Sequence, residues 1–283
     1  MKRILVPCDF SKPAIEAFRY ALDVADQSNG FIHLLYVVQL PVMHDTMLMP
    51  TLNFEEQYLK DAEEASKKHF EKIIAKYNKQ NIEVTFTVRF GSPSTTILEF
   101  TQENVIDVVI MGSHGASGFR ELVIGSNAEK IVRRSPVPVL IIKDYVKSQV
   151  KNIVFPNDLD TEQQEDFVMK VKALQHFFKA HLHIVWINTP LNFTNDTETI
   201  DRLTRFAKRY MLKNYTIHVF NHSNEESGIL EYSKYIKADL IAMATHGRKG
   251  LSHFFNGSLA EDVANHATCP IWTYTLKNEP VEA

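Results

Sequence analysis

The sequence predicts an α/β protein of two tandem halves, each a five-stranded parallel sheet between helices. Short β-branched runs alternate with longer stretches of helical periodicity, and that alternation calls for right-handed crossovers and a parallel sheet between two helix layers. The same succession of runs occurs twice in 283 residues. A chain of that length suits two domains of ordinary size, each long enough to bury its own core.

Residues 3–8 (RILVPC) read as a buried strand. Ser11 is a plausible N-cap for the next helix, with Pro13 in its first turn. Ala14, Ala17, Phe18, Ala21, Leu22 and Ala25 give that helix a buried face, and Asn29-Gly30 ends it. Phe31 to Val38 is almost continuously apolar, as expected of a parallel strand covered on both faces. A loop at 39–54 carries Met43, Met47 and Met49. Such residues commonly cover a core, and the same composition also suits a flap or a partner surface. A second helix is expected from Phe54 to Asn78, a third strand from Ile82 to Phe90, and a third helix after Gly91-Ser92-Pro93. Strand four is placed at Val105–Met111, a helix at Ala128–Arg134 and a last strand at Val137–Ile142.

The second half answers the first. Asn152–Asp158 matches Ile4–Asp9, His183–Ile187 matches His33–Val37, Asp239–Met243 matches Asp107–Met111, and Cys269–Trp272 matches Val137–Leu140. Between Asp158 and Ile229 the second half is about 17 residues shorter than the first between Asp9 and Ile97, a loss expected at the Met-rich loop and second helix. The halves are drawn at 1–146 and 147–283, with a linker inside 144–151.

The most informative stretch is Val108–Asn127, VVIMGSHGASGFRELVIGSN. A buried run ends at Gly112, a loop holds Gly115 and Gly118, an amphipathic segment (Phe119, Leu122, Val123, Ile124) follows, and Gly125-Ser126-Asn127 opens a helix. Glycine allows backbone to approach a ligand, and a helix N-terminus offers unpaired N–H groups and partial positive charge. Together they form a backbone cradle for phosphate. Asp9 also follows a strand end, so it lies on the same rim, where open α/β sheets bind ligands. Its carboxylate can accept hydrogen bonds from a ribose or an adenine amino group, Ser126 adds a hydroxyl, and His114 adds a pH-dependent donor. Each has a structural alternative: Asp9 as a capping carboxylate, His114 as a bond within the loop, Ser126 as an N-cap. The spacing recurs at Ala244, Gly247, Gly257 and Ser258, with Asp158 answering Asp9 and with alanine at the first glycine position. A positive φ there would cost about 1 kcal/mol with a Cβ present. Arg248 and Lys249 supply nearby cations.

Glycine, two residues, glycine, nine residues, then glycine and a hydroxyl residue resembles the universal stress protein A family, here as a tandem, two-domain member. The resemblance spans nearly the whole chain. It implies Rossmann-like (adenine nucleotide alpha hydrolase-like) domains that bind ATP, with or without magnesium, at Asp9, Gly112, His114, Gly115, Gly125, Ser126 and Asn127. Pro7 and Val37 are then apolar neighbours of the base. Asp158, Gly247, Gly257 and Ser258 form a weaker second site. In the family, last strands pair across a dimer; here Val137–Ile142 and Pro270–Thr275 could pair within one chain, a pseudo-dimer able to dimerise further.

Composition narrows the function classes. A net charge of −3 provides no basic field for nucleic acid. The apolar run of the N-terminus is broken by Asp9, too early for a signal-peptide core, and no run reaches the length of a membrane span. A cytoplasmic protein is expected. Cys8 and Cys269 make neither a disulfide framework nor a zinc knuckle and read as reduced thiols, with oxidation at Cys8 able to disturb Asp9. There is no Walker loop, dinucleotide fingerprint, zinc motif or nucleophile elbow. No second acid or arginine finger accompanies Asp9 and His114, so any ATP hydrolysis should be slow. The expected function is an ATP-binding factor in stress response or signalling with a protein partner. Two alternatives stand beside it: a nucleotide-independent interaction protein with structural glycine loops, and a slow ATP hydrolase.

Overall fold

The computed structural model describes residues 1–39, 52–115, 124–145, 149–159, 164–246 and 257–276, with backbone only at 52–59, 246, 257 and 258. The first half runs β1 (Arg3–Pro7), α1 (Lys12–Ser28), β2 (Phe31–Val38), α2 (Leu52–Tyr77), β3 (Val84–Phe90), α3 (Pro93–Glu103), β4 (Val108–Gly112), α4 (Ser126–Arg134) and β5 (Val139–Ile142). The second repeats it as β6 (Asn152–Pro156), α5 (Glu165–Phe178), β7 (His181–Asn188), α6 (Asp196–Arg209), β8 (Tyr215–Asn221), α7 (Glu225–Tyr235), β9 (Leu240–His246), α8 (Gly257–His266) and β10 (Ile271–Leu276). The linker expected within 144–151 includes 146–148, which lie outside the described residues, as does the Met-rich stretch 40–51.

Local chemistry sets several boundaries. Ser11 caps α1 by accepting from Ala14 N, and Asn29 closes it in the left-handed conformation at φ 47°. Strand four starts three residues later than expected, at Val108, because Asp107 is used otherwise. Its carboxylate accepts from the Lys2 and Arg3 backbone N–H groups and from the Arg3 guanidinium, pinning the start of β1, while Val105 stays exposed. Asp239 does the same for Lys151 and Asn152 in the second half. The shortening also falls where expected, since α2 has 26 residues and α6 has 14.

Strand order is β3-β2-β1-β4-β5-β10-β9-β6-β7-β8, one ten-stranded sheet among the described residues. Pairing is parallel within each half, and β5 meets β10 antiparallel. At this seam Leu140 lies opposite Trp272, its own counterpart in the repeat, with Ile141 opposite Ile271 and Val139 opposite Thr273. The halves are therefore related by a pseudo-twofold axis through the Leu140–Trp272 pair, and the two edges that would otherwise be exposed cover each other.

Alternation along the strands divides the core in two. One face, with Ile4, Val108, Leu140, Ile153 and Trp272, is covered by α1, α2, α5 and α6. The other, with Leu5, Val109, Ile141, Val154 and Ile271, is covered by α3, α4, α7 and α8. Both layers run through the seam. Among the described residues no helix is long and apolar enough to cross a membrane.

Candidate functional site

In each half the connections reverse direction between the first and fourth strands, opening a crevice beyond their carboxyl ends. In the first half this crevice lies between β1 and β4, which pair Ile4 with Val108 and Leu5 with Val109. Past Pro7, Cys8 N still donates to Leu35 O at 2.9 Å, so the chain leaves the sheet only at Asp9. Phe10 then takes a positive φ of 63° and packs its ring on Tyr36, His69 and Phe70. The turn sends the chain into α1 and leaves Asp9 at the crevice.

The Asp9 carboxylate does two things. Oδ1 accepts from Ser11 N at 3.0 Å, the capping role open to it from sequence. Oδ2 faces the β4 loop: a Cβ added to Gly115 would stand 2.6 Å from it. The bare backbone at Gly115 thus leaves room for a carboxylate delivered from a different strand. Gly112 serves another approach. Its φ is not positive, so the strain considered for this position does not apply; instead an added Cβ would meet the Pro13 backbone at 2.7 Å, at the start of α1.

The loop closes on itself beyond these glycines. Ser113, fully buried, donates from its N–H to Ile142 O at 3.0 Å and accepts at its carbonyl from Gly125 N at 2.8 Å. Its hydroxyl bonds His114 Nδ1 at 2.9 Å, so His114 does make the structural contact anticipated for it. An added Cβ on Gly125 would come within 3.3 Å of His114 Cα. Gly125 itself is the N-cap of α4, and Ser126 is the first helical residue rather than the cap. Gly125 makes no side-chain cap bond, and Ser126 is exposed. Asn127 is half-buried in the first turn, Val37 is buried near the end of β2, and Pro7 is half-buried at the end of β1. The structure thus brings Asp9, Gly112, His114, Gly115 and Gly125 into one neighbourhood at the rim. Residues 116–123, with Gly118 and the Phe119–Val123 segment, lie outside the described residues.

The second half keeps the backbone plan and changes the contacts. Leu159 takes the positive φ of Phe10, at 60°, and Asn157 N donates to Val185 O as Cys8 does to Leu35. Gln164, buried at the start of α5, donates to Asp158 Oδ1 at 2.5 Å and accepts from Asn157 Nδ2. Ala244 does not turn the chain: β9 runs two residues past it to His246, paired with β10 throughout. Gly247, Arg248 and Lys249 lie outside the described residues, and Gly257 and Ser258 open α8.

Burial pushes the Cys8 thiol up to about 12, with the Asp9 charge adding to it, and burial pushes Cys269 up to about 12 as well. Both cysteines are free, and neither supplies thiolate near neutral pH.

Comparison with known proteins is decided by the repeat. The universal stress protein family matches at residues 1–143 and again at 149–274. The chain belongs to the universal stress protein family. A universal stress protein of Synechocystis is 24% identical over 97% of this chain and 100% of its own length. A universal stress protein of Methanocaldococcus jannaschii is 24% identical over 50% of this chain and 82% of its own, about one half of the tandem. A universal stress protein structure from Archaeoglobus fulgidus superposes with a TM-score of 0.74 at 20% identity, covering 98% of this chain and 97% of that one. At that identity the likeness speaks for the shared fold.

Two residues beside the candidate site of this universal stress protein escaped sequence reasoning. Asn265 Oδ1 accepts from the Ile124 N–H, just before Gly125, and the Asn265 carbonyl accepts from Lys143 Nζ. Nothing in the repeat marks them, because the contact crosses from one half to the other.

Proposed function

We propose that this universal stress protein binds an adenine nucleotide, ATP with or without magnesium, in its first half and acts through it as a stress-response or signalling factor of the cytoplasm. The observation that carries the reading is the meeting of Asp9 Oδ2 with the bare backbone of Gly115, beside a helix whose N-cap is Gly125. An acceptor for ribose or adenine faces a run of backbone that a Cβ would fill, and a helix N-terminus whose N-cap is glycine suits phosphate. Asp9, Pro7 and Val37 hold the nucleoside end; Gly112, His114, Gly115, Gly125, Ser126 and Asn127 hold the phosphates. Magnesium, where present, would arrive with the nucleotide and offset the charge of its phosphates.

The second half is read as structural rather than as an equal site. Gln164 engages Asp158, and Ala244 continues a strand where Gly112 ends one.

Calorimetric titration of wild type and Asp9→Ala with ATP and with tripolyphosphate tests this assignment. ATP should bind wild type at one site per chain, weaken at least tenfold in Asp9→Ala, and lose more than tripolyphosphate does, because Asp9 acts on the nucleoside. No ATP binding by wild type would leave the interaction-protein reading in its place.

A further inference from the structure

The loop between β4 and α4 is held at both ends, and one of the holding groups comes from the other half. Ser113 N donates to Ile142 O and Gly125 N donates to Ser113 O, which sets the two loop ends side by side. One residue before Gly125, the N–H of buried Ile124 donates to Asn265 Oδ1 at 2.5 Å, on the last turn of α8. The Asn265 carbonyl accepts from Lys143 Nζ at 2.5 Å, and Lys143 directly follows Ile142. These four bonds close a ring from β5 through both loop ends to α8 and back to β5. Of its residues, Asn265 alone belongs to the second half.

The pseudo-twofold axis does not duplicate this ring. The counterpart of Asn265 is Arg133, and a guanidinium carries donors without any acceptor, so it cannot receive a backbone N–H. Arg133 instead forks onto Glu261 of α8 and reaches Glu129 at 3.4 Å. The Thr245 and Thr275 hydroxyls both donate to Val132 O at 3.1 Å, so the second half also holds the C-terminal end of α4.

We propose that Asn265 is a positioning residue for the first-half site, so that the second half sets how α4 meets the phosphates of a bound nucleotide. The proposal rests on the nucleotide reading above. Without the amide oxygen, the Ile124 N–H is left buried and unpaired, a state the loop escapes by shifting. Such a shift displaces Gly125 and the first turn of α4, the phosphate end. Asp9, held from β1 and α1, keeps its place.

The test titrates full-length wild type, Asn265→Leu and Asn265→Asp with ATP and with adenosine, recording thermal unfolding and amide exchange at Ile124 for each. Asn265→Leu should bind ATP about tenfold more weakly than wild type, bind adenosine equally, and exchange the Ile124 amide faster. Asn265→Asp keeps an acceptor and should recover most of the ATP affinity. Where the leucine variant does not fold, Asn265→Ala removes the same acceptor with less bulk. Unchanged ATP affinity in a folded variant overturns the positioning role and leaves the nucleotide reading intact. Equal losses for ATP and adenosine alongside a lowered unfolding temperature also overturn it, as general destabilisation. Wild type that binds no ATP overturns both readings.

Discussion

Gly112 and Gly115 look alike in the sequence and do different work. The Gly112 approach is to backbone, at Pro13, which cannot swing away. Gly112→Ala should therefore cost about 1–3 kcal/mol of stability, read as a lowered denaturation midpoint, by forcing α1 off the sheet. The Gly115 approach is to a side-chain oxygen of Asp9. Gly115→Ala should leave the midpoint nearly unchanged and weaken nucleotide binding, because the Asp9 carboxylate is pushed out of place. Equal midpoints for the two variants would show that the contacts do not differ in this way. The spacing of these glycines was legible in the sequence; the reason for each was not, because spacing does not say which neighbour comes close. Ser126 is the same kind of case: a hydroxyl after glycine reads as a cap, yet Gly125 takes that position.

Strand and helix identities were legible because apolar periodicity reports burial directly. Boundaries failed where a polar side chain overrode the pattern: Val105 and Ile106 extend an apolar run, but Asp107 turns back onto β1 and delays β4. Histidines on β7 and β8 show another element-scale property with no pattern to announce it. His183 stands between Asn152 and Thr216, beside His181 and His218. Burial chiefly, and then the two neighbouring histidines, bring it down to about 4. The unfolded chain, with His near 6.5, binds this proton more readily than the folded one, so stability falls as pH drops from about 6.5 towards 4. His183→Gln should flatten that loss in denaturation midpoints measured across this range. An unchanged slope would assign the acid sensitivity to other groups.

At the scale of the whole molecule, the seam makes one body of two repeats. Leu140 against Trp272 lies at the pseudo-twofold axis, and both core layers continue across it. A first half expressed alone, residues 1–145, would expose the β5 edge and should self-associate in sedimentation; a monodisperse monomer would show that β5 needs no partner. The tandem plan was legible because the repeat is written in matching strands. The proposed division of labour between the halves was only partly so. Ala244 hinted at it, whereas the Gln164 bond to Asp158 is a local side-chain contact that no periodicity marks, and the Asn265 bond to Ile124 joins segments 141 residues apart. A nucleotide held in the first half is common to each of these proposed roles. Nucleotide analysis of freshly purified, heat-denatured protein, beside the same analysis of a Gly125→Val, Ser126→Ala variant, tests that most directly. Adenine nucleotide released from wild type, at up to one per chain, and absent from the variant is the predicted result. Equal release from both, or none from wild type followed by no calorimetric ATP binding, would contradict it.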